Sequence, residues 1–206
     1  MTAIIDSGVC NIASIMRALE RVGAQFIVTT DAVQVAEASA VLLPGVGTFA
    51  DGMAALHRNG LVEPLKAHAA KGRPLLGICL GMQLLADISE EFGEHQGLGL
   101  IPGRVRRLPN APGHRVPNIG WCDMQVGSSA RLFAGVESGA SFYFVHSYVM
   151  ECSDEADSIG TIKWDGSKVT VACQRGNIFG VQFHPEKSQD NGLAFLDRFA
   201  KLVISK

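Results

Sequence analysis

Three side chains in this sequence are of the types that build a nucleophile, its base and the group that orients the base. Cys79 sits in Gly77-Ile-Cys-Leu-Gly81, and His184 and Glu186 sit in Gly180-Val-Gln-Phe-His-Pro-Glu186. A cysteine with a glycine two residues away on each side has the pattern of a nucleophile on a tight strand-to-helix turn, where a flanking Cβ would collide across the turn. Such a turn exposes the sulfur at a helix N-terminus, where the dipole favours negative charge. The N–H of Leu80 would then point at an oxyanion formed on an attacked carbonyl. Val181 and Phe183 alternate with Gln182 as in a strand, and that strand delivers His184. Pro185 has no N–H and ends the pairing, so Glu186 follows in a rigid turn. The carboxylate would hold one imidazole nitrogen while the other takes the proton from Cys79. Each motif alone also reads as ordinary structure: a buried core cysteine, a satisfied histidine, a solvated loop charge. Their joint occurrence favours chemistry, although 105 positions of chain separate Cys79 from His184.

The elements that would position these groups follow from hydrophobic patterning. Residues 3–6 read as a first strand, Ser7 to Asn11 as a turn, and Ile12, Ile15, Met16, Leu19 and Val22 as one helix face closed by Gly23. Residues 25–29 and 40–43 read as strands, the latter apolar throughout and therefore buried on both faces. It runs into Pro44-Gly-Val-Gly47, after which 49–71 reads as helical with a break at Asn59-Gly60. The strand 74–78 leads into a helix pattern at Met82, Leu84, Leu85 and Ile88. This rhythm predicts a three-layer α/β fold. Its open sheet is parallel in the N-terminal half with helices on both faces, and the Pro-Gly-Val-Gly loop and Cys79 share the edge formed by the strand C-termini. Beyond Gly93 come a Gly- and Pro-rich stretch and then strand-like runs at 141–150, 158–164, 168–174 and 178–183. Turn signals at Asp165-Gly166 and Arg175-Gly-Asn177 predict antiparallel additions to the sheet, and 191–205 reads as a last helix. With no linker or repeat, 1–206 reads as a single domain.

Composition narrows the classes. Hydrophobic residues make up 47% and charged residues 18%, with a net charge of -2, which leaves no electrostatic case for nucleic acid or an anionic membrane surface. No apolar stretch is long enough for a span, and the first residues lack a signal-peptide pattern, so a cytoplasmic location is expected. The five scattered cysteines form no C-x-x-C pair. A zinc site or disulfide framework is not indicated, and no metal or organic cofactor site is visible.

Taken together, Gly-Ile-Cys79-Leu-Gly and Phe-His184-Pro-Glu186 resemble the class I (triad-type) glutamine amidotransferases. Leu43-Pro-Gly-Val-Gly-Thr48, Pro117-Asn-Ile-Gly-Trp121 and Phe142-Tyr-Phe-Val-His-Ser-Tyr148 are similar to the glutaminase subunits of imidazole glycerol phosphate synthases, enzymes of histidine biosynthesis. One departure is Gly8-Val-Cys10-Asn11, where that family often has Gly-x-Gly-Asn.

The resemblance implies a Cys79, His184, Glu186 triad that hydrolyses glutamine through a γ-glutamyl thioester. An oxyanion hole would form from Leu80 and the Val46-Gly47 loop, whose glycines would permit a peptide flip. Substrate glutamine would be held by Gln83, one helical turn after Cys79, and by the backbone of Ser147 and Tyr148. Gln83 also reads as a solvated helix residue. The resemblance further implies a heterodimer with a (β/α)8-barrel cyclase. Ammonia would pass to that partner, which makes imidazole glycerol phosphate and aminoimidazole carboxamide ribonucleotide. Asn11, Trp121, Tyr143 and Lys187 lie on stretches the family uses at the interface, although Trp121 also reads as core and Lys187 as a solvated charge. The rival readings are a glutaminase serving another synthase, a free-standing γ-glutamyl hydrolase, and a non-catalytic subunit that keeps the fold.

Overall fold

The structure is a computed structural model that describes residues 1–6, 8, 12–110, 113, 115–127 and 130–204. The turn expected at Ser7 to Asn11 therefore lies, apart from Gly8, outside the described residues, as does Cys10. In chain order the elements begin β1 (Thr2–Ile5), α1 (Ile12–Arg21), β2 (Phe26–Thr29), α2 (Ala32–Glu37) and β3 (Ala40–Gly45). Next come α3 (Phe49–Arg58), α4 (Val62–Ala70), β4 (Leu75–Cys79) and α5 (Leu80–Leu84). The short strands β5 (Ile88–Ser89) and β6 (His95–Gln96) precede β7 (Gly103–Arg107), β8 (Asn118–Asp123) and β9 (Gln125–Val126). The chain closes with β10 (Ser141–His146), β11 (Tyr148–Cys152), β12 (Ser158–Trp164), β13 (Ser167–Arg175), β14 (Ile178–Val181) and α6 (Gln189–Ile204).

The main sheet has the order β2-β1-β3-β4-β14-β13-β12-β9. The pairs from β2 to β14 are parallel, and β14-β13, β13-β12 and β12-β9 are antiparallel. β3 and β4 are buried at every residue, as continuous apolar runs require of strands covered on both faces. On one face Ile4, Leu42, Leu76 and Ile78 pack with Ile15 and Leu19 of α1 and with Phe195 and Phe199 of α6. On the other, Ala3, Ile5, Val41, Leu43 and Leu75 pack with Val35, Met53, Leu56, Leu65 and Leu84 from α2 to α5. The three-layer expectation holds.

Two expectations are corrected. The helix after Cys79 does not reach Ile88, because α5 ends at Leu84 and Ile88 opens β5. The cause is tertiary: Leu98 N–H takes the Leu84 carbonyl, Leu100 and Ile101 take that of Leu85, and Gly99 takes that of Ala86. Those acceptors would have carried the helix onward, and a Cβ on Gly97 would meet the Ala86 carbonyl at 2.2 Å. The run 141–150 is not one strand. It breaks at Ser147, with β10 paired to β8 and β11 paired to β7 in separate sheets.

Candidate active site

β3 and β4 lie side by side in register, with Gly45 opposite Cys79, so the Pro-Gly-Val-Gly loop and the cysteine leave the sheet together. Cys79 has φ 55° and ψ −114°, a conformation that side chains avoid, and it opens α5 directly. The flanking glycines are needed for contact reasons. A Cβ on Gly77 would meet the Gly81 carbonyl oxygen at 2.5 Å, and one on Gly81 would meet the Leu43 carbonyl oxygen at 1.8 Å. Gly47 is required differently, by its φ of 101°.

His184 arrives from the end of β14 and donates its backbone N–H to Tyr143 O at 2.9 Å. Ser188 clamps the turn: its hydroxyl donates to His184 O at 2.7 Å and accepts from Tyr143 N–H at 3.0 Å. A Cβ on Gly192 would meet Pro185 O at 1.9 Å, so α6 packs directly against the His-Pro-Glu turn. Within it, His184 Nδ1 lies 2.9 Å from Glu186 Oε1, both side chains buried. Glu186 Oε2 is buried with no hydrogen-bond partner among the described residues. Burial disfavours the charged ring of His184, but the Cys79 sulfur and the Glu186 carboxylate outweigh it and hold the pKa up at about 9. The imidazole is therefore cationic at neutral pH, the form that can give a proton to a leaving amine.

A cavity of about 310 Å³ joins these groups. Cys79, Leu80, Gln83, His184, Val46, Gly47, Ser147, Tyr148 and Lys187 all line it, so the expected triad, oxyanion and substrate residues converge, with Glu186 behind His184. A larger cavity of about 730 Å³ between Arg107, Cys152, Gly160 and Lys168 brings no cysteine and histidine together.

Gln83 is buried rather than solvated, and its Nε2 donates to Tyr148 O at 3.1 Å and to Gln182 Oε1 at 3.0 Å. Trp121 is 48% exposed, which removes the core reading. It meets Tyr143, its cross-strand partner, edge to face at 5.8 Å, and Lys187 Nζ stands 5.7 Å from the same ring. The three thus form one stack beside the cavity, with Trp121 and Lys187 exposed and Tyr143 half-buried between them, while Asn11 lies outside the described residues.

Three residues missed by the sequence reading also shape the site. Glu91 lines the cavity and accepts the Phe49 N–H at 2.6 Å, fixing the start of α3 where the Pro-Gly-Val-Gly loop ends. His146 lies beside Ser147. Its Nδ1 contacts Tyr148 O at 3.0 Å and its Nε2 contacts Asn118 Nδ2 at 3.0 Å. Since the amide nitrogen can only donate, Nε2 accepts and Nδ1–H donates to the carbonyl, and burial pushes the ring's pKa down to about 4. Gln182, expected only as the polar member of an alternating strand, is fully buried against Cys79. The sequence gives no signal of this, because alternation does not say which face of β14 is covered.

The sequence profile of the family "Glutamine amidotransferase class-I" matches residues 3–202. A glutamine amidotransferase from Thermotoga maritima superposes with a TM-score of 0.72 over 100% of this chain and 98% of that one, at 16% identity. A second solved glutamine amidotransferase gives 0.74 over 96% and 98%, at 20% identity, so both establish the fold. Fold and site thus define a class-I glutamine amidotransferase. The imidazole glycerol phosphate synthase subunit HisH of Moorella thermoacetica is 48% identical over 98% of this chain and 94% of its own length. That of Syntrophotalea carbinolica is 44% identical over 98% and 100%. The chain belongs to the class-I glutamine amidotransferases and, within them, to the family of imidazole glycerol phosphate synthase subunit HisH.

Proposed function

We propose that this chain is a single amidotransferase domain, residues 1–206, that supplies ammonia within a cytoplasmic imidazole glycerol phosphate synthase. The observation that carries the reading is the His184–Glu186 pair at 2.9 Å on the cavity of a strained Cys79, in a chain 48% identical to a HisH subunit. The Cys79 thiolate, facing the His184 imidazolium, attacks the side-chain carbonyl carbon of glutamine. The oxygen of the tetrahedral intermediate is received by Leu80 N–H and a backbone N–H of the Val46–Gly47 segment, which line the same cavity. His184 gives its proton to the leaving nitrogen, the C–N bond breaks, and ammonia departs from a γ-glutamyl thioester. A water then gives its proton to the now neutral His184 and attacks the thioester. The C–S bond breaks, releasing glutamate and restoring the cysteine. Gln83 and the backbone of Ser147 and Tyr148 hold the amino-acid portion. Glu91, the carboxylate lining this cavity, suits the α-ammonium group.

The partner is a (β/α)8-barrel cyclase seated over the strand-end edge. Support comes from the Trp121–Tyr143–Lys187 stack, whose Trp121 and Lys187 are exposed, and from two apolar side chains near it. Ile119, two residues before Trp121 in β8, is 62% exposed, and Val46 on the cavity wall is 39% exposed. The test is glutamate release from glutamine with and without that cyclase and its nucleotide substrate, in the wild type and in Cys79→Ala. Stimulation in the complex is expected, and Cys79→Ala should lose glutamine-dependent synthesis while ammonia-dependent synthesis persists. Full activity alone, indifferent to the cyclase, would instead mark an independent γ-glutamyl hydrolase.

A further inference from the structure

Gln182 is a fully buried amide in a position where an apolar side chain would be cheaper. Val181 and Phe183 on either side of it face the apolar cluster beneath α6. Gln182 faces the other way, as Gly180 does against Met82, and so toward the turn that carries Cys79. Its Oε1 accepts from Gln83 Nε2 at 3.0 Å, and its Nε2 lies 3.7 Å from Cys79 Sγ.

The amide orientation is forced. The Tyr148 carbonyl can only accept, so the Gln83 atom 3.1 Å from it must be nitrogen. That same nitrogen is 3.0 Å from Gln182, which must therefore present oxygen to it. The remaining face of the Gln182 amide, its N–H, is left for the sulfur. The Tyr148 carbonyl is itself fixed by the Nδ1–H of His146. A backbone carbonyl on one wall of the cavity thus decides what the nucleophile sees on the other.

We propose that Gln182 is the hydrogen-bond donor to the Cys79 nucleophile, set with its N–H toward the sulfur by the relay from Tyr148 O through Gln83. A donor there favours the thiolate over the thiol and competes with the contact from the sulfur to Val145 O, 3.9 Å away, which favours the thiol. The proposal rests on Cys79 being the nucleophile. It also gives Gln83 a second task besides holding substrate.

The test uses Gln182→Met, which keeps length and loses both hydrogen bonds, and Gln182→Glu, which keeps an oxygen toward Gln83 and replaces the sulfur-facing N–H. Two quantities are read: kcat and KM for glutamine in the assembled synthase, and the pH profile of iodoacetamide alkylation of Cys79 in the full chain, followed by mass of its peptide. Loss of one hydrogen bond to a charged acceptor corresponds to roughly tenfold or more. In both variants kcat is expected to fall by about that factor and alkylation to move to higher pH, and in the Glu variant, which keeps an acceptor for Gln83, KM should change little. The Glu variant preserves the polar shape, so it carries the test should the Met variant fail to assemble. A wild-type alkylation profile, or a loss confined to KM, would overturn the role. Cys79→Ala separates the two readings. If it is inactive while the Gln182 variants behave as wild type, only the Gln182 assignment falls. If it still hydrolyses glutamine, the nucleophile assignment falls as well.

Discussion

Replacing Glu186 with glutamine tests the base and its orienting group in one step. The shape is kept and an amide oxygen can still accept from His184 Nδ1, so the change is chiefly the loss of a buried negative charge 2.9 Å from the ring. In the wild type that charge joins the Cys79 sulfur in overcoming burial and holding His184 at about 9. Without it the ring falls back toward 6.5 and less of it is protonated when ammonia must leave. A hydrogen bond to a charged partner contributes about 1.5–3 kcal/mol, which is roughly 10- to 100-fold in rate if the loss is felt in the transition state. The second cost is local. The buried Glu186 Oε2 has no hydrogen-bond partner among the described residues, and an NH2 placed there would lack an acceptor. The assay is glutamine hydrolysis by the assembled synthase across neutral and alkaline pH. The expected result is a drop of at least about tenfold at neutral pH, with the alkaline limb displaced downward. A rate close to wild type on an unmoved profile would refute the orienting role and leave Glu186 a packing residue.

Two further outcomes follow from geometry and charge. Gly81→Ala drives a Cβ to within 1.8 Å of the Leu43 carbonyl oxygen, backbone that has no rotamer to yield, and the urea midpoint should fall by the equivalent of about 3 kcal/mol. Stability should also decline on both sides of neutrality. His146, with its pKa depressed from 6.5 to about 4, contributes stability present above 6.5 and lost as pH falls through that window, about 3 kcal/mol in all. His184, raised from 6.5 to about 9, contributes stability present below 6.5 and lost as pH rises through 9. Urea titrations of wild type and His146→Gln at about pH 4.5 and 7.5 check the first limb, since the variant should lose the acid-side slope.

The legible parts of the sequence were those set by local backbone constraint. Gly77-x-Cys-x-Gly81 and His184-Pro-Glu186 are short motifs whose residue types point to turns, so both are readable, and Cys79 and His184 meet in one cavity. β3 and β4 were readable because unbroken apolar runs leave few alternatives. What escaped depends on partners distant in sequence. Ser147 lies within a continuous strand-forming run, and only the separate pairing of β10 with β8 and β11 with β7 breaks it. Ile88 fits a helical stripe, but the carbonyls needed to continue the helix are taken by residues 98–101. The six-residue α2 is too short for periodicity to find, though Asp31 caps it through Val33 and Gln34 N–H. Gln182, Glu91 and His146 are polar residues whose importance comes from being buried.

The backbone at Cys79 has a consequence for how this protein withstands mutation. A side chain held at φ 55°, ψ −114° costs on the order of 1–3 kcal/mol that glycine would not incur. Cys79→Gly should therefore melt higher than the wild type while abolishing glutamine hydrolysis. The nucleophile occupies a place that folding alone would give to glycine. A library of variants screened only for heat resistance would discard the catalyst here before touching the core, and only a concurrent demand for ammonia keeps the cysteine in place.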